Sequence, residues 1–131
     1  MTKHSRARVI LANDDDDARR KMRIVLEGLG CTVIEVRNER EAALAALKQA
    51  PLFMLIFLDS DISDWLDVLV RFKEDRFLGQ IPIIATSSDG SRGIELFTRI
   101  ADLGEVLIEY LPQPFSSEAL AFQIDHLISR R

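Results

Sequence analysis

The stretch Phe53-Met54-Leu55-Ile56-Phe57-Leu58-Asp59 decides the fold of this chain. It is a run of six apolar residues that ends in a carboxylate. A short run that is apolar at every position is typical of a strand buried on both faces of a sheet. Other short apolar runs share this character, and five strands are predicted in all: Val9 to Ala12, Thr32 to Val36, Phe53 to Leu58, Ile81 to Ala85 and Val106 to Leu111.

Stretches with helical spacing lie between and after these runs. Their apolar residues recur three or four positions apart, which predicts that one face of each helix packs against a core. The five predicted faces are Met22, Val25, Leu26 and Leu29; Ala43, Leu44 and Leu47; Leu66, Leu69 and Val70; Ile94, Phe97 and Ala101; and Leu120, Ile124, Leu127 and Ile128. Strands that alternate with helices form a parallel sheet covered on both sides, so a single α/β domain is predicted.

Capping residues stand where the predicted helices begin. Asp16 or Asp17 is predicted to cap the first helix, because a carboxylate can accept hydrogen bonds from the free N–H groups of the first turn. Asn38 and Glu41 have the spacing of a capping box before the second helix. Ser116 is predicted to cap the last one.

The composition excludes several classes of function. The 131 residues include 17 Lys and Arg against 21 Asp and Glu, so the net charge of −4 gives no general attraction to nucleic acid or to an anionic membrane surface. The apolar runs are far shorter than the roughly 18 residues of a membrane span, and the first residues lack the apolar stretch of a signal peptide. Cys31 is the only cysteine and is predicted to be buried and inert. A cytoplasmic protein is expected.

Acidic and hydroxyl side chains follow the predicted strands. They form four segments: Asn13 to Asp17, Asp59 to Asp61, Thr86 to Asp89, and Pro112 to Phe115. The carboxyl ends of parallel strands meet at one edge of the sheet, where function gathers in folds of this kind. Each residue alone is also suited to an ordinary helix cap or turn. Together, however, carboxylates that share a site favour a divalent cation, and hard oxygen ligands suit Mg²⁺.

Four segments, taken in order, resemble the receiver domain of two-component response regulators. The family's first strand and acidic pair resemble Val9-Ile10-Leu11-Ala12-Asn13-Asp14-Asp15, and its strand that ends in the phosphoacceptor resembles Leu55-Ile56-Phe57-Leu58-Asp59. The strand that ends in the Ser/Thr switch resembles Pro82-Ile83-Ile84-Ala85-Thr86-Ser87. The family's Tyr-x-x-Lys-Pro-Phe-Ser segment resembles Tyr110-Leu111-Pro112-Gln113-Pro114-Phe115-Ser116. The resemblance covers a domain at residues 8–129 after a tail at 1–7. It implies a CheY-like, flavodoxin-like (βα)5 fold whose five-stranded parallel sheet has the order 2-1-3-4-5.

The resemblance implies a switch in a two-component phosphorelay. Asp59 would accept a phosphoryl group from a histidine kinase or a phosphotransfer protein. Asp14, Asp59 and the backbone carbonyl of Asp61 would bind Mg²⁺ directly, and Asn13 would act through a water molecule. The chain would thus be a phosphoacceptor that at most promotes its own phosphorylation and dephosphorylation, and not an enzyme with a separate substrate.

Two further residues carry the switch in this family. Ser87 is implied to hydrogen-bond a phosphoryl oxygen, and Tyr110 to change position as the surface around the fourth and fifth helices shifts. The signal would pass to a downstream protein target or to a second copy through the face formed by the fourth helix, the fifth strand and the fifth helix. No nucleic-acid or membrane partner is expected.

The sequence departs from the family at the centre of the site. Gln113 stands where the family has a lysine, so it can donate a hydrogen bond but carries no charge. Pro114 follows it, at a bond that is often cis in receivers. Asn13 replaces one acid of the acidic pair. These changes leave open a phosphorylation-independent pseudo-receiver that acts as a protein–protein interaction module.

Two other interpretations are weaker. Asp64 is a rival acceptor, because Ile62-Ser63-Asp64-Trp65 also resembles the acceptor segment of the single-domain chemotaxis receiver, but Asp59 directly follows the apolar strand. A small flavodoxin-like enzyme or ligand-binding domain is a further possibility. Nothing in the first loop is built to hold a cofactor phosphate, which disfavours it.

Overall fold

The computed structural model describes residues 7–58, 62–88, 94–95, 97–99, 102 and 108–129, without the side chains at 62–64, 68, 73 and 128. The strands are β1 Ala7–Ala12, β2 Cys31–Val36, β3 Phe53–Phe57, β4 Ile83–Thr86 and β5 Ile108–Tyr110. The helices are α1 Asp16–Gly28, α2 Glu39–Gln49, α3 Ile62–Glu74, α4, which is described at residues 94–95 and 97–99, and α5 Ser117–Ser129. A 3₁₀ turn, Leu78–Gln80, follows α3.

The five strands form one parallel sheet in the order β2-β1-β3-β4-β5, which confirms the predicted fold. The register pairs Ala12 of β1 with Ile56 of β3, and Phe57 of β3 with Thr86 of β4. The carboxyl ends of the three central strands therefore lie side by side. This edge, named the carboxyl edge below, is where the predicted site residues fall.

The core has one apolar cluster on each face of the sheet. Trp65, Leu69 and Phe72 of α3 pack on one face, and Leu120, Ile124 and Leu127 of α5 pack with Leu26 of α1 on the other. Cys31 is buried as predicted, and burial raises the pKa of its thiol to about 11. The thiol is therefore protonated at neutral pH and is a poor nucleophile.

Three predicted apolar faces do not pack entirely as expected, those of α2, α3 and α4; on α3 the departure is Val70, which is 38% exposed. The second helix was predicted to bury Ala43, Leu44 and Leu47, but α2 turns Ala42 and Ala46 to the core. Leu44 and Leu47 are 54% and 60% exposed. Ile94 of α4 is also exposed. Small residues let a helix lie close to the sheet, so on α2 alanines form the core face and leucines lie outside.

The helix caps are as predicted at α2 and α5 and differ at α1. Asn38 Oδ1 accepts from the Glu41 N–H at 2.9 Å, and Ser116 Oγ accepts from the Ala119 N–H at 3.0 Å. The cap of α1 is Asp15, one residue before the predicted pair, and its Oδ1 accepts from the N–H groups of residues 17 and 18. The Asp15 N–H donates to Asn13 Oδ1, and this turn sets which aspartate is the cap.

Candidate functional site

Asn13 and Asp14 end the first strand at the carboxyl edge. The Asn13 N–H donates to the carbonyl of Val36 at 3.1 Å, which extends the pairing of β1 with β2 by one residue. Asn13 is buried, and its Oδ1 is engaged in the turn to Asp15. Asp14 is exposed, so its carboxylate faces solvent at this edge. The chain therefore presents one free carboxylate beside one buried amide.

Asp59 and Asp61, the predicted acceptor and carbonyl ligand, lie outside the described residues. The chain just before them is described. Leu58 is buried, and its N–H donates to the carbonyl of Thr86 at 2.7 Å. The segment that leads to Asp59 is thus held against the end of β4, immediately before Ser87.

Ser87 lies where the sequence predicts, directly after β4, and it is buried. The preceding residue, Thr86, is fully buried as well. Among the described residues, Thr86 Oγ1 has no hydrogen-bond partner. The sequence predicts Thr86 only as part of the loop after the fourth strand. A hydroxyl at the end of an otherwise apolar strand is the feature that could have predicted a buried polar group here.

Gln113 and Pro114 follow β5, and the peptide bond between them is cis, as expected for a receiver. Gln113 Nε2 is buried, and within the part of the chain that the structure describes it has no hydrogen-bond partner. Tyr110 in β5 is half-buried, and its ring lies 6.0 Å from that of Phe97 in α4, measured between centroids. The predicted switch residue therefore contacts the helix whose surface is predicted to shift.

An ion-pair network centred on Arg19 supports the first loop, and the sequence analysis did not find it. Arg19 is largely buried, and its guanidinium donates to the Asn13 carbonyl at 2.8 Å, to Asp16 Oδ1 at 2.7 Å and to Glu35 Oε1 at 3.0 Å. Arg23 also pairs with Glu35. The available signal was the charged Glu35 in the otherwise uncharged strand β2.

The network perturbs the charged groups beside the site. The hydrogen bond from Arg19, together with its positive charge, lowers the pKa of Asp16 below its ordinary value. Burial alone would lower the pKa of Arg19, but its hydrogen bonds to Asp16 and Glu35 raise it above its ordinary value. Asp16 and Arg19 are thus joined as an ion pair, while Asp14 makes no ion pair to any residue that the structure describes.

The described residues contain no group of three His, Cys, Asp or Glu side chains that could hold a metal ion. Asp14 is the one predicted carboxylate ligand within them. Its exposed oxygens are hard donors of the kind that Mg²⁺ prefers. The other predicted ligands, Asp59 and the backbone carbonyl of Asp61, lie outside the described residues. One carboxylate of the predicted donor set is thus exposed and chemically suited to a magnesium ion.

The rival acceptor Asp64 lies in the first turn of α3. Trp65, the next residue, is buried in the core, as the sequence predicts for a packing residue at a helix start. His126, which the sequence assigns a surface or structural role, is half-exposed on α5, and its Nε2 lies 3.5 Å from Glu109 Oε1. His4 lies outside the described residues.

Solved structures with the same architecture include receiver domains. One is the signal receiver domain of a modulated diguanylate cyclase from Desulfovibrio desulfuricans, described as an example of alternate folding; it is 25% identical, with 96% of each chain covered and a TM-score of 0.76. The chain has a receiver-domain fold. The receiver domain of a sensor histidine kinase from Pseudomonas aeruginosa, solved with magnesium in its active-site cleft, is 19% identical, with 95% of this chain and 99% of that chain covered and a TM-score of 0.80.

A third receiver-fold structure is the chemotaxis protein CheY4 from Vibrio cholerae. It is 18% identical, with 94% of this chain and 99% of that chain covered and a TM-score of 0.78. No protein-family model matches the sequence, and no curated protein matches it either. In the described part of the chain, no helix is both long and apolar enough to cross a membrane.

Proposed function

We propose that this receiver-fold chain is the phosphoacceptor of a two-component phosphorelay, with Asp59 as the acceptor. The support is the carboxyl edge of the sheet, to which the ends of β1, β4 and β5 bring an exposed Asp14, a buried Ser87 and the buried amide nitrogen of Gln113. Asp14 and Ser87 match the receiver motif in residue type, and Gln113 stands at its lysine position. A sheet with this order and unrelated chemistry would have no reason to bring that set together.

The acceptor step needs few protein groups. A carboxylate oxygen of Asp59 attacks the phosphorus of a phosphohistidine on a histidine kinase or phosphotransfer protein. The new P–O bond forms as the P–N bond breaks, and the electron pair returns to the imidazole nitrogen, which takes up a proton. Positioning and charge neutralisation supply most of the rate in such transfers, so the chain acts as acceptor and is not an enzyme with a separate substrate.

Asp14, Asp59 and the backbone carbonyl of Asp61 would hold Mg²⁺. When bound, the ion supplies positive charge against the phosphoryl oxygens. Asn13 would contribute through a water molecule, since its Oδ1 accepts one hydrogen bond from the Asp15 N–H and has a second lone pair to accept another. The Arg19 guanidinium holds the Asn13 carbonyl and so fixes the loop that carries Asp14.

Ser87 and Gln113 would act on the phosphorylated state. The Ser87 hydroxyl donates to a phosphoryl oxygen, and the Gln113 amide donates from the opposite side of the strand end. Movement of Ser87 would be relayed to Tyr110, whose ring contacts Phe97 of α4. The signal then reaches a downstream target or a second copy through the face formed by α4, β5 and α5, in the cytoplasm.

Two uncharged residues at the site, Gln113 and Asn13, favour a second candidate function. Gln113 brings no positive charge to the acceptor, and Asn13 removes one acid from the metal site. A phosphorylation-independent pseudo-receiver would need neither the positive charge beside the acceptor nor the full set of acidic metal ligands. In that case the chain would signal by binding a partner in one fixed conformation.

Intact-mass measurement after incubation with a small acyl phosphate decides between the two. We expect a gain of one phosphoryl group that requires Mg²⁺, is lost in Asp59→Ala and is kept in Asp64→Ala. Asp64 lies in the first turn of α3, which makes it the matched control. Absence of any gain, under conditions that modify an ordinary receiver, would establish the pseudo-receiver. Loss in Asp64→Ala alone would move the acceptor to Asp64.

A further inference from the structure

A groove runs between α2 and α3, and none of the residues proposed for the acceptor site lines it. It has a volume of about 690 Å³, its floor includes Ala43, Leu47 and Leu78, and it is named the α2–α3 groove below. Leu47 and Leu78 also line a depression of about 660 Å³ at the amino-terminal edge of the sheet, together with Pro51 and Leu52. The two hollows therefore adjoin each other at Leu47 and Leu78, and the proposed acceptor site does not use them.

Large apolar side chains project beside these hollows. Leu44, on the wall of the groove, and Leu47 are the two leucines of α2 that the core does not take up, and Phe77, on the wall of the depression, is 84% exposed. The backbone around Phe77 is fixed, because the N–H groups of Phe77 and Leu78 both donate to Asp75 Oδ1, at 2.8 and 2.9 Å. The exposed aromatic ring of Phe77 thus projects beside an open apolar hollow that is large enough to receive a side chain. Contiguous apolar surface of this kind marks an interaction site.

Four charged side chains line the groove: Glu39 and Arg40 of α2, and Asp67 and Arg71 of α3. None of them has an ion pair or side-chain hydrogen bond to another residue in the described part of the chain. On α1, which packs on the opposite face of the sheet, Arg19, Arg20 and Arg23 by contrast all pair with acids. The groove therefore has two unpaired charges of each sign around an apolar centre.

We propose that the α2–α3 groove binds a second copy of this chain about a two-fold axis. In such an interface the same surface patch meets itself, so Phe77 of each copy fills the depression of the other. The acids of one groove then face the arginines of its partner. This interface goes beyond the proposed function and does not depend on phosphorylation.

Charge balance favours a second copy over other occupants. The chain has a net charge of −4, so two copies repel each other over most of their surfaces. The groove carries as many positive as negative side chains, so two copies can meet there without that repulsion. A nucleic acid or a strongly charged protein would match only half of the charges.

Sedimentation of the unmodified protein tests the proposal. We expect reversible dimers with a dissociation constant between about 1 µM and 1 mM, the range of a small interface. Phe77→Glu is expected to weaken dimerisation by about 30-fold or more, as for the loss of a buried aromatic anchor. Phe122→Glu is the matched control, because Phe122 is 71% exposed on α5, and it should change the constant less than threefold.

A mixing experiment tests the charge pairing itself. The variant Arg40→Glu/Arg71→Glu has an all-acidic groove, and the variant Glu39→Arg/Asp67→Arg has an all-basic one. Each is expected to be monomeric alone, while an equimolar mixture forms heterodimers. The proposal is overturned if the wild type stays monomeric up to about 1 mM, if dimers depend on Phe122 and not on Phe77, or if the mixture does not associate. Circular dichroism of each variant verifies the fold.

Discussion

At the scale of single residues, we expect Gln113 to limit how readily the proposed acceptor site is phosphorylated. Its buried amide can donate a hydrogen bond, and a lysine at the same place would add a positive charge. A charged hydrogen bond contributes about 1 kcal/mol more than a neutral one, which corresponds to about a fivefold change in an equilibrium. Gln113→Lys should therefore raise the phosphorylated fraction, measured by intact mass at a fixed donor concentration, by about fivefold.

Gln49→Lys is the control for that change, since it adds the same charge at the exposed end of α2. It should leave the phosphorylated fraction unchanged. If Gln113→Lys altered neither the phosphorylated fraction nor the structural response to it, the missing lysine would not be what weakens this site.

The environment of Thr86 predicts how a substitution there changes the free energy of unfolding. Its hydroxyl is buried without a partner among the described residues, and burial of an unpaired hydroxyl costs about 1–3 kcal/mol. Thr86→Val replaces the hydroxyl with a methyl group of similar size, so the free energy of unfolding should rise by about 1 kcal/mol, as measured by urea denaturation.

Thr32→Val, at an exposed position of β2, should change the unfolding free energy by less than about 0.5 kcal/mol. A destabilised Thr86→Val protein would mean that the hydroxyl makes a hydrogen bond that the valine loses.

At the scale of elements, the first loop depends on one cap. Asp15 accepts two N–H groups at the start of α1, so Asp15→Ala should lower the free energy of unfolding by about 1 kcal/mol. Asp15→Asn keeps the accepting oxygen and should lower the free energy of unfolding by only a few tenths of a kcal/mol, on the order of the differences among good N-cap residues. Equal losses in the two variants would contradict a capping role and point to the charge.

Most elements could be predicted from the sequence, because the strands are apolar on both faces and the caps follow local rules. Strand ends were less predictable. Ile81 and Pro82 were expected in the fourth strand, yet β4 begins at Ile83, since proline has no N–H to donate to the ladder and only its carbonyl pairs, with the Met54 N–H. Along residues 14–17, four aspartates in a row give no signal of which one is the cap.

At the scale of the whole molecule, periodicity alone cannot separate a core face from a surface face. The spacing of Leu44 and Leu47 predicts burial, but the neighbouring alanines of α2 let the helix approach the sheet more closely. The arginine network was missed for a related reason, because Arg19 meets Glu35 only after α1 packs on β2. Contacts between elements decide both outcomes, and a single sequence does not state them.

The receiver fold and the placement of Ser87, Tyr110, Gln113 and Pro114 could be predicted, since Tyr110 lies in a recognisable strand and the other three follow one. The identity of the acceptor is the central claim that follows from them. Borohydride trapping of the phosphorylated protein, followed by peptide mass analysis, locates the acyl phosphate to a residue. The label is expected on Asp59, in a Mg²⁺-dependent reaction. A label on Asp64, or no label where an ordinary receiver is modified, would contradict this account.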